Sequence, residues 1–378
     1  MYSSIYDIVL YMVAIISIFG LSLVFGMTLF TWRVYTFFLK TSPLMTHWLL
    51  ALALLVPILF VGGLIVIRTK LFTLPLWSYM FTNYLAGLGY YLFHSAIVLG
   101  IIGGVILFIQ GVYLPLGIVY FFVALPIVLT ITGFVQAKQI QITSYTVELP
   151  NFPASWNDKK VALVTDTHFG IVLQKKFADT VVDTILAQRP DIVLHGGDFY
   201  DGPTLDTAPI TESWKKLTAQ IPVFYAPGNH ELYGDYKGFI QSIRDANITV
   251  LEDSKIIYEG VQIGGIVYHG KNDEKLAKES LAKVAFTKDA PAILINHPPT
   301  FIADATANGV DLMVSGHTHN GQFWPNTYIV RAIYGIYTYG LQKYENMFVL
   351  TSKGVGTAGP PLRLFNRPEV AIITIKTR

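Results

Sequence analysis

The chain has 378 residues, of which 52% are hydrophobic and only 14% are charged, so it is more apolar than an ordinary soluble domain. Its formal net charge of +2 gives no reason to expect a nucleic-acid partner, and the absence of cysteine excludes disulfides and thiolate metal ligands. Charged residues are sparse up to about Ile140 and occur at ordinary density afterwards. This shift predicts a membrane domain over residues 1–140 and a globular domain over residues 145–378.

Apolar segments in the first domain are long enough, at 1.5 Å per residue, to cross a bilayer core of about 30 Å. The stretch 71–135 contains no Asp, Glu, Lys or Arg and could hold two or three spans, of which we adopt two, with Gln110 and Gly111 at the turn. The predicted spans are residues 8–30, 44–67, 84–109 and 112–135. The sequence therefore predicts a bundle of four transmembrane helices, and glycines at 100, 103 and 104 predict a close helix approach there.

His94 lies within this apolar stretch and is open to two interpretations. An ionisable group inside a membrane can serve as a proton relay or a ligand. A neutral histidine that is hydrogen-bonded between helices is the favoured interpretation. Lys and Arg are nearly balanced between the two faces of the predicted bundle, so their distribution does not orient the protein.

The second domain alternates short apolar runs with amphipathic stretches, which is typical of parallel strands connected by helices. Helical spacing predicts helices over residues 175–188 and 236–245, and further β segments predict a second, mixed sheet packed on the first. The predicted strands are 147–149, 161–165, 191–194, 223–225, 256–258, 261–268, 292–296, 311–314, 347–351 and 370–375. The predicted fold class is α/β, a two-layer β sandwich flanked by helices and preceded by the transmembrane bundle.

Polar side chains suited to metal binding follow five of these strands directly. In open α/β sheets such positions meet at the carboxyl edge of the strands, so we expect them to converge. His317 and His319 stand one residue apart, a spacing that turns two side chains of an extended backbone to the same side. The candidate metal ligands are Asp166, His168, Asp198, Asn229, His297, His317 and His319.

The ordered motifs DTH, GD, GNH, H and GHTH resemble those of the calcineurin-like metallophosphoesterases. The similarity runs over residues 145–378, and its ending, GVGTAGPPLRLFNRPEVAIITI, resembles the membrane-anchored or exported branch. Two cations about 3.5–4 Å apart require a shared carboxylate, for which Asp198 is the candidate. The resemblance implies one metal held by Asp166, His168 and His319 and another held by Asn229, His297 and His317.

The expected activity is hydrolysis of a phosphate ester or pyrophosphate bond by a metal-bridging hydroxide at two divalent ions. Mixed nitrogen and oxygen ligands suit Mn, Fe or Zn better than Mg or Ca and do not choose among them. His230 is expected to protonate the leaving group or to stabilise the charge of the transition state. Arg363 is predicted either to contact phosphate or to form a structural salt bridge.

Other polar and aromatic residues near the motifs receive structural interpretations. Asp201, Asp206 and Glu231 are expected to be solvated loop acids. Tyr334, Tyr337 and Tyr339 are expected to pack in a strand, with stacking on a substrate headgroup as the alternative.

The competing hypothesis is a membrane sensor or transporter that binds a phosphorylated ligand without hydrolysing it. Attachment to a bilayer favours an amphiphilic or lipid-linked substrate, and the resemblance to exported relatives favours an extracytoplasmic catalytic domain on a multi-pass membrane protein. The oligomeric state stays open.

Overall fold

The structure is a computed structural model that describes residues 24–69, 76–201, 206–288 and 290–377. The chain divides into two compact units, Met1–Thr132 and Gly133–Arg378. The elements described in the first unit are helices, and the second unit contains every described strand.

The helices of the first unit are apolar along most of their length. They are α1, described from Val24 to Leu39, α2 (Pro43–Thr69), α3 (Leu76–Gln110) and α4 (Leu116–Gln136). Trp77–Gln110 and Leu116–Gln136 are long and apolar enough to cross a membrane. Residues 8–23 of the first predicted span lie outside the described residues, and its helix continues past the predicted end to Leu39.

Helix α3 begins earlier than predicted, at Leu76, because residues 76–83 contain no Gly or Pro. It ends as predicted at Gln110, where Gly111 adopts a positive φ of 66°. A Cβ atom on Gly103 would lie 2.5 Å from the ring of Phe38, so the predicted close helix approach is present. His94 is hydrogen-bonded as favoured, although its Nδ1 contacts the Tyr90 carbonyl of its own helix at 2.8 Å.

Pro126 lies inside α4 and cannot donate a backbone hydrogen bond to the carbonyl four residues before it. That carbonyl belongs to Phe122, and two other helices satisfy it. The Tyr35 hydroxyl donates to it at 2.8 Å and the Ser95 hydroxyl at 2.6 Å. The proline therefore creates a polar anchor point among α1, α3 and α4, as expected where backbone groups have little access to water.

The second unit contains two sheets of six strands each. The first has the order β1 (Gln141–Glu148), β12 (Glu369–Lys376), β2 (Lys160–Val164), β3 (Ile192–His195), β4 (Val223–Tyr225) and β5 (Thr249–Val250). The second has the order β10 (Gly340–Tyr344), β11 (Met347–Thr351), β9 (Leu312–Ser315), β8 (Ala292–Ile295), β7 (Val261–Gly265) and β6 (Ser254–Tyr258). Strands β2 to β5 are parallel, as are β7, β8, β9 and β11.

Both sheets are buried on both faces, which explains why their central strands are continuous apolar runs. Leu163 and Leu194 of the first sheet pack with Ile295 and Val314 of the second in one shared core. The outer face of the first sheet is covered by α5 (Lys175–Gln188), α6 (Ala208–Thr218) and α8 (Tyr236–Asp245), and that of the second by α9 (Glu274–Val284) and α10 (Ile302–Ala307). The one-turn helix α7 (Asn229–Leu232) lies between β4 and α8 in the chain. The predicted sandwich flanked by helices is confirmed.

Candidate metal centre

The seven predicted ligands lie at the carboxyl ends of β2, β3, β4, β8 and β9, and the fold brings them together. Three groups of side chains have ligand atoms within 4.8 Å of one another. The groups are Asp166 with His168 and His319, His168 with Asp198 and His230, and Asp198 with His297 and His317. Asp198 and His168 each occur in two groups, so the clusters adjoin.

The first cluster is formed by residues after β2 and β9. Nε2 of His319 lies 3.0 Å from Nε2 of His168 and 3.3 Å from Oδ1 of Asp166. Oδ2 of Asp198 lies 3.9 Å from the same His168 nitrogen. The Asp166 carboxylate is itself held in place, because it accepts hydrogen bonds from the Thr165 hydroxyl at 2.8 Å and from the His317 amide at 3.0 Å.

The second cluster joins residues after β3, β4, β8 and β9. Nδ1 of His317 lies 2.9 Å from Oδ1 of Asn229 and 3.3 Å from Nε2 of His297. Oδ2 of Asp198 lies 3.0 Å from Nε2 of His297. The Asp198 carboxylate thus stands between the two clusters, which is where a shared ligand has to be.

The backbone is strained at most of these residues. Positive φ values, which most L-residues avoid, occur at five of the predicted ligands. These are Asp166 (54°), His168 (47°), Asp198 (53°), His317 (69°) and His319 (47°). Each such conformation costs roughly 1–2 kcal/mol, so the surrounding contacts must hold it.

Two motif glycines are required by close approach rather than by flexibility. A Cβ atom on Gly228 would lie 2.1 Å from Oδ1 of Asp198, and one on Gly316 would lie 2.3 Å from Oδ2 of Asp166. Any side chain at either position would displace a predicted ligand. The glycines in the GNH and GHTH motifs therefore make room for the carboxylates.

Burial keeps several of the histidines neutral. It lowers the pKa of His168 to about 4 and that of His317 to about 3, and the pKa of His319 falls well below its usual range for the same reason. Neutral imidazoles offer a lone pair, which is the form that binds a metal. Burial also raises the pKa of Asp166 to about 6.

Asp198 and His297 form a buried ion pair. Burial alone would raise the pKa of Asp198, but the charge and hydrogen bond of His297 outweigh burial and hold that pKa well below its usual range. Burial likewise opposes the charge on His297, and Asp198 overcomes it and raises the His297 pKa to about 9. A divalent cation at this point would replace the proton on His297 as the partner of Asp198.

The donor chemistry fits two divalent cations. The ligand nitrogens of His168 and His319 lie 3.0 Å apart, and those of His317 and His297 lie 3.3 Å apart, so a cation at either pair would be within reach of two imidazoles. Nδ1 of His297 lies 2.6 Å from the Gly196 carbonyl, which leaves Nε2 facing the cluster. Nδ1 of His168 is buried without a hydrogen-bond partner among the described residues.

His230 borders both clusters without joining either set of predicted ligands. Its Nε2 lies 4.0 Å from Oδ2 of Asp198, and its Nδ1 lies 2.9 Å from Oδ1 of Asp201. Burial would lower the pKa of His230, but Asp201 and Asp198 overcome burial and raise it to about 8. The expectation that Asp201 is a solvated loop acid is wrong, because its carboxylate orients His230.

Glu231 was also expected to be a solvated acid, and that expectation is wrong. Its carboxylate is fully buried and accepts four backbone N–H groups. The donors are Asp198 at 3.2 Å, Phe199 at 2.7 Å, Tyr200 at 3.0 Å and Gly228 at 2.8 Å. Glu231 thereby ties the loop after β3 to the loop after β4, and these two loops carry Asp198 and Asn229.

Arg363 does not form the structural salt bridge that was one of the two contacts predicted for it, and the contact with phosphate stays a prediction. It is fully buried, and its guanidinium donates to the carbonyls of Gly356 at 2.6 Å and Asn366 at 3.4 Å. Nη2 also lies 3.1 Å from Nδ1 of His319. Among the described residues no carboxylate forms a salt bridge with it. Its hydrogen bonds therefore join the C-terminal loop that contains Gly356 and Asn366 to His319.

Three tyrosine rings lie beside histidines of the site. The rings of Tyr268 and Tyr334 lie 5.7 Å and 6.0 Å from that of His317, and the ring of Tyr233 lies 5.2 Å from that of His230. Tyr334 belongs to helix α11 (Asn326–Tyr334), so its predicted packing in a strand is wrong. Tyr268 and Tyr233 stand outside the motifs, and no sequence signal marks them as neighbours of the site.

Comparison with known proteins agrees with the motifs. Residues 159–321 match the model of the family described as calcineurin-like phosphoesterase, which confirms the predicted resemblance. An uncharacterized metallophosphoesterase of Campylobacter jejuni is 29% identical over 246 residues, which are 63% of this chain and 64% of that protein. One of Helicobacter pylori is 30% identical over 220 residues, which are 57% of this chain and 59% of that protein.

A Danio rerio relative named transmembrane protein with metallophosphoesterase domain is 26% identical over 271 residues, which are 66% of this chain and 60% of that protein. The chain therefore spans less than two thirds of the length of each of these three relatives.

Proposed function

From the calcineurin-like phosphoesterase domain that this chain carries, we propose that the globular unit hydrolyses a phosphate ester or pyrophosphate bond at a dinuclear metal site. The observation that supports this most directly is the position of the Asp198 carboxylate. Its Oδ2 lies 3.9 Å from Nε2 of His168 in one cluster and 3.0 Å from Nε2 of His297 in the other. A single carboxylate between two sets of metal-binding side chains is the arrangement that a pair of cations requires.

The proposed ligand sets follow the two clusters. Asp166, His168 and His319 would hold one cation, Asn229, His297 and His317 the other, and Asp198 both. When bound, the cations would act as Lewis acids on the phosphate oxygens and lower the pKa of water. The mixed imidazole, carboxylate and amide donors suit Mn, Fe or Zn.

His230 is proposed as the proton donor to the leaving group, with Asp201 as its positioning residue. A general acid matters most when the leaving alkoxide is basic, and such a group contributes about 10²–10⁴-fold. His230→Gln should therefore slow the hydrolysis of an alkyl phosphate by about that factor while barely affecting a nitrophenyl phosphate. Asp201→Asn should shift the ratio of the two rates in the same direction. Equal losses on both substrates would contradict the proton-donor role.

The main test measures hydrolysis and metal content together. The full chain, purified in detergent and supplied with Mn, is assayed on a panel of nitrophenyl phosphomonoesters and phosphodiesters. Asp198→Asn should abolish turnover and reduce the bound metal, whereas Asp183→Asn, an exposed carboxylate on α5, should change neither. Full activity in the Asp198 variant would exclude this site.

The competing proposal is a sensor or transporter whose globular unit binds a phosphorylated ligand without hydrolysing it. Two equivalents of bound metal together with no turnover across a broad panel of phosphoesters would favour it. The two complete ligand sets argue against it, because binding a phosphorylated ligand does not require two metal sites.

We further propose that the N-terminal helices form a multi-pass anchor, that the substrate is amphiphilic or lipid-linked, and that the catalytic unit is extracytoplasmic. The support is the pair of helices long and apolar enough to cross a membrane and the resemblance of the C-terminal segment to exported relatives.

The side of the membrane is tested by thiol labelling. Because the chain lacks cysteine, Lys275→Cys introduces a single thiol on an exposed side chain. An impermeant thiol reagent should label it in intact cells. Labelling only in inverted vesicles would place the unit in the cytoplasm.

A further inference from the structure

Helix α11 presents an apolar face to solvent beside the metal centre. Tyr328, Ile329, Ala332 and Ile333 are all exposed and, by their i, i+4 spacing, share one side of the helix. The side chains of Tyr328 and Ile329 are 68% and 60% exposed, and no residue of α11 is buried. An amphipathic helix of a soluble domain normally turns such a face inward, toward the core.

Two more exposed apolar side chains flank the helix in sequence. Trp324 precedes α11 and Ile336 follows it, and both side chains are exposed. We call these residues together the α11 surface, namely Trp324, Tyr328, Ile329, Ala332, Ile333 and Ile336. Contiguous exposed apolar groups of this kind mark a binding surface.

We propose that the α11 surface docks on the headgroup region of an anionic phospholipid bilayer. Charge favours this occupant over a protein partner of mixed charge, because the sequence from Gly321 to Tyr344 contains Arg331 and Lys343 but no Asp or Glu. Lys271 adds a further cation, with Nζ 2.5 Å from the Ile333 carbonyl. An apolar face with aromatic residues and basic neighbours is the composition of helices that lie in a membrane interface. The chain also carries two helices long and apolar enough to cross a membrane, and insertion of these helices would keep the second unit near a bilayer.

The position of α11 gives this docking a consequence for the substrate. Thr327 donates to the Asn320 carbonyl at 2.9 Å, and the Tyr334 ring lies 6.0 Å from that of His317, so the helix is fixed to the GHTHN loop. A docked α11 would hold the metal centre close to lipid headgroups. The site would then favour phosphoesters that remain in the bilayer, a consequence that rests on the proposed hydrolysis, whereas the docking itself does not.

The docking is tested with single-cysteine variants of the full chain in nanodiscs that contain phosphatidylglycerol. Ile329→Cys and Ile333→Cys, each carrying a fluorescent label, report on the α11 surface. Ile257→Cys on β6 is the matched control, because Ile257 is as exposed as Ile329, at 60%. We expect nitroxide-bearing lipids to quench the two α11 labels and aqueous iodide to quench the control.

Two outcomes would overturn the docking. Iodide quenching of the α11 labels equal to that of the control would show that the surface faces water. Protection from iodide without quenching by nitroxide lipids would show that protein covers it, either a second copy or another part of the chain.

The consequence for the substrate has its own test. Ile333→Glu should reduce the hydrolysis of a phosphorylated lipid in the discs roughly tenfold or more, and leave that of soluble nitrophenyl phosphate unchanged. Ile257→Glu should change neither. Equal rates for Ile333→Glu and the parent on the lipid would refute the delivery of substrate from the bilayer. If the parent hydrolyses neither substrate, the proposed function fails, while the quenching result still decides the docking.

Discussion

Glu231→Gln is the substitution that probes the support of the metal centre most sharply. Each oxygen of the Glu231 carboxylate accepts two backbone N–H groups, Oε1 those of Phe199 and Tyr200, and Oε2 those of Asp198 and Gly228. A glutamine retains one acceptor oxygen and turns its NH₂ group toward the other two donors. The change is nearly isosteric, so its effect measures hydrogen bonding rather than volume.

The expected loss of stability follows from these contacts. Two buried N–H groups without acceptors cost roughly 1–3 kcal/mol each, so the penalty is roughly 2–6 kcal/mol. Burial and the Asp198 charge both raise the pKa of Glu231, so removing its charge relieves some repulsion and offsets part of that penalty. A net loss of about 3 kcal/mol corresponds to a fall in Tm of roughly 6–12 °C for a domain of this size.

The assay is thermal unfolding of the full chain in detergent, followed by tryptophan fluorescence, because Trp156 and Trp214 are fully buried in the second unit. Metal content is measured on the same samples, since the affected loops carry Asp198 and Asn229. Glu212→Gln on the exposed side of α6 is the matched control and should shift Tm by no more than about 2 °C. A Glu231→Gln variant that matches this control in both Tm and metal content would refute the reasoning.

Three further predictions follow from the contacts described above. Gly228→Ala should reduce bound metal and activity at least tenfold, because the new methyl group displaces a ligand carboxylate, whereas Gly117→Ala, with open space around it, should not. Mn at 100 times its Kd should stabilise the protein by about 2.7 kcal/mol, seen as a rise in Tm that chelation reverses, and an unchanged Tm would contradict metal binding. The double variant Tyr35→Phe/Ser95→Ala should lower the free energy of unfolding by roughly 1–3 kcal/mol, because it leaves the Phe122 carbonyl of α4 unpaired. Adding Pro126→Ala should recover part of that loss by restoring a backbone donor, and equal Tm values with and without it would contradict this account.

The sequence predicted elements best where a short-range pattern is sufficient. Apolar runs without alternation identified the central parallel strands, and helical spacing placed α5 and α8 at their observed bounds, Lys175–Gln188 and Tyr236–Asp245. The convergence of the ligands also followed from a general rule, because each motif stands directly after a strand and such ends share one edge of the sheet.

Contacts between distant loops could not be predicted in this way. Glu231 stands beside a polar motif, which indicates a solvated acid, yet its partners include Asp198 and Tyr200 from a different loop. Asp201 was misassigned for the same reason, since its partner His230 follows another strand. The sequence around a carboxylate near a motif does not indicate whether its hydrogen-bond donors will be water molecules or groups of a distant loop.

Helix α11 was missed for a different reason. The tyrosines at 334, 337 and 339 favour strand packing, whereas the i, i+4 pair Ile329 and Ile333 indicates a helix. Helical spacing predicts an amphipathic segment but not which way its apolar face turns. Only the structure shows that this face is exposed.

The strain at the ligands bears on why this edge of the sheets is a binding site. Five positive φ values at roughly 1–2 kcal/mol each amount to roughly 5–10 kcal/mol, comparable with the whole stability of a typical domain. Local preference would not retain such a backbone, so tertiary contacts must hold it, among them the Glu231 carboxylate and the amide of His317 on Asp166. The same loops confine neutral imidazoles within hydrogen-bonding distance of one another, which gives little stability to the fold alone. A cation shared by these donors would turn that arrangement into a stabilising one, so metal binding and the stability of this unit should be coupled.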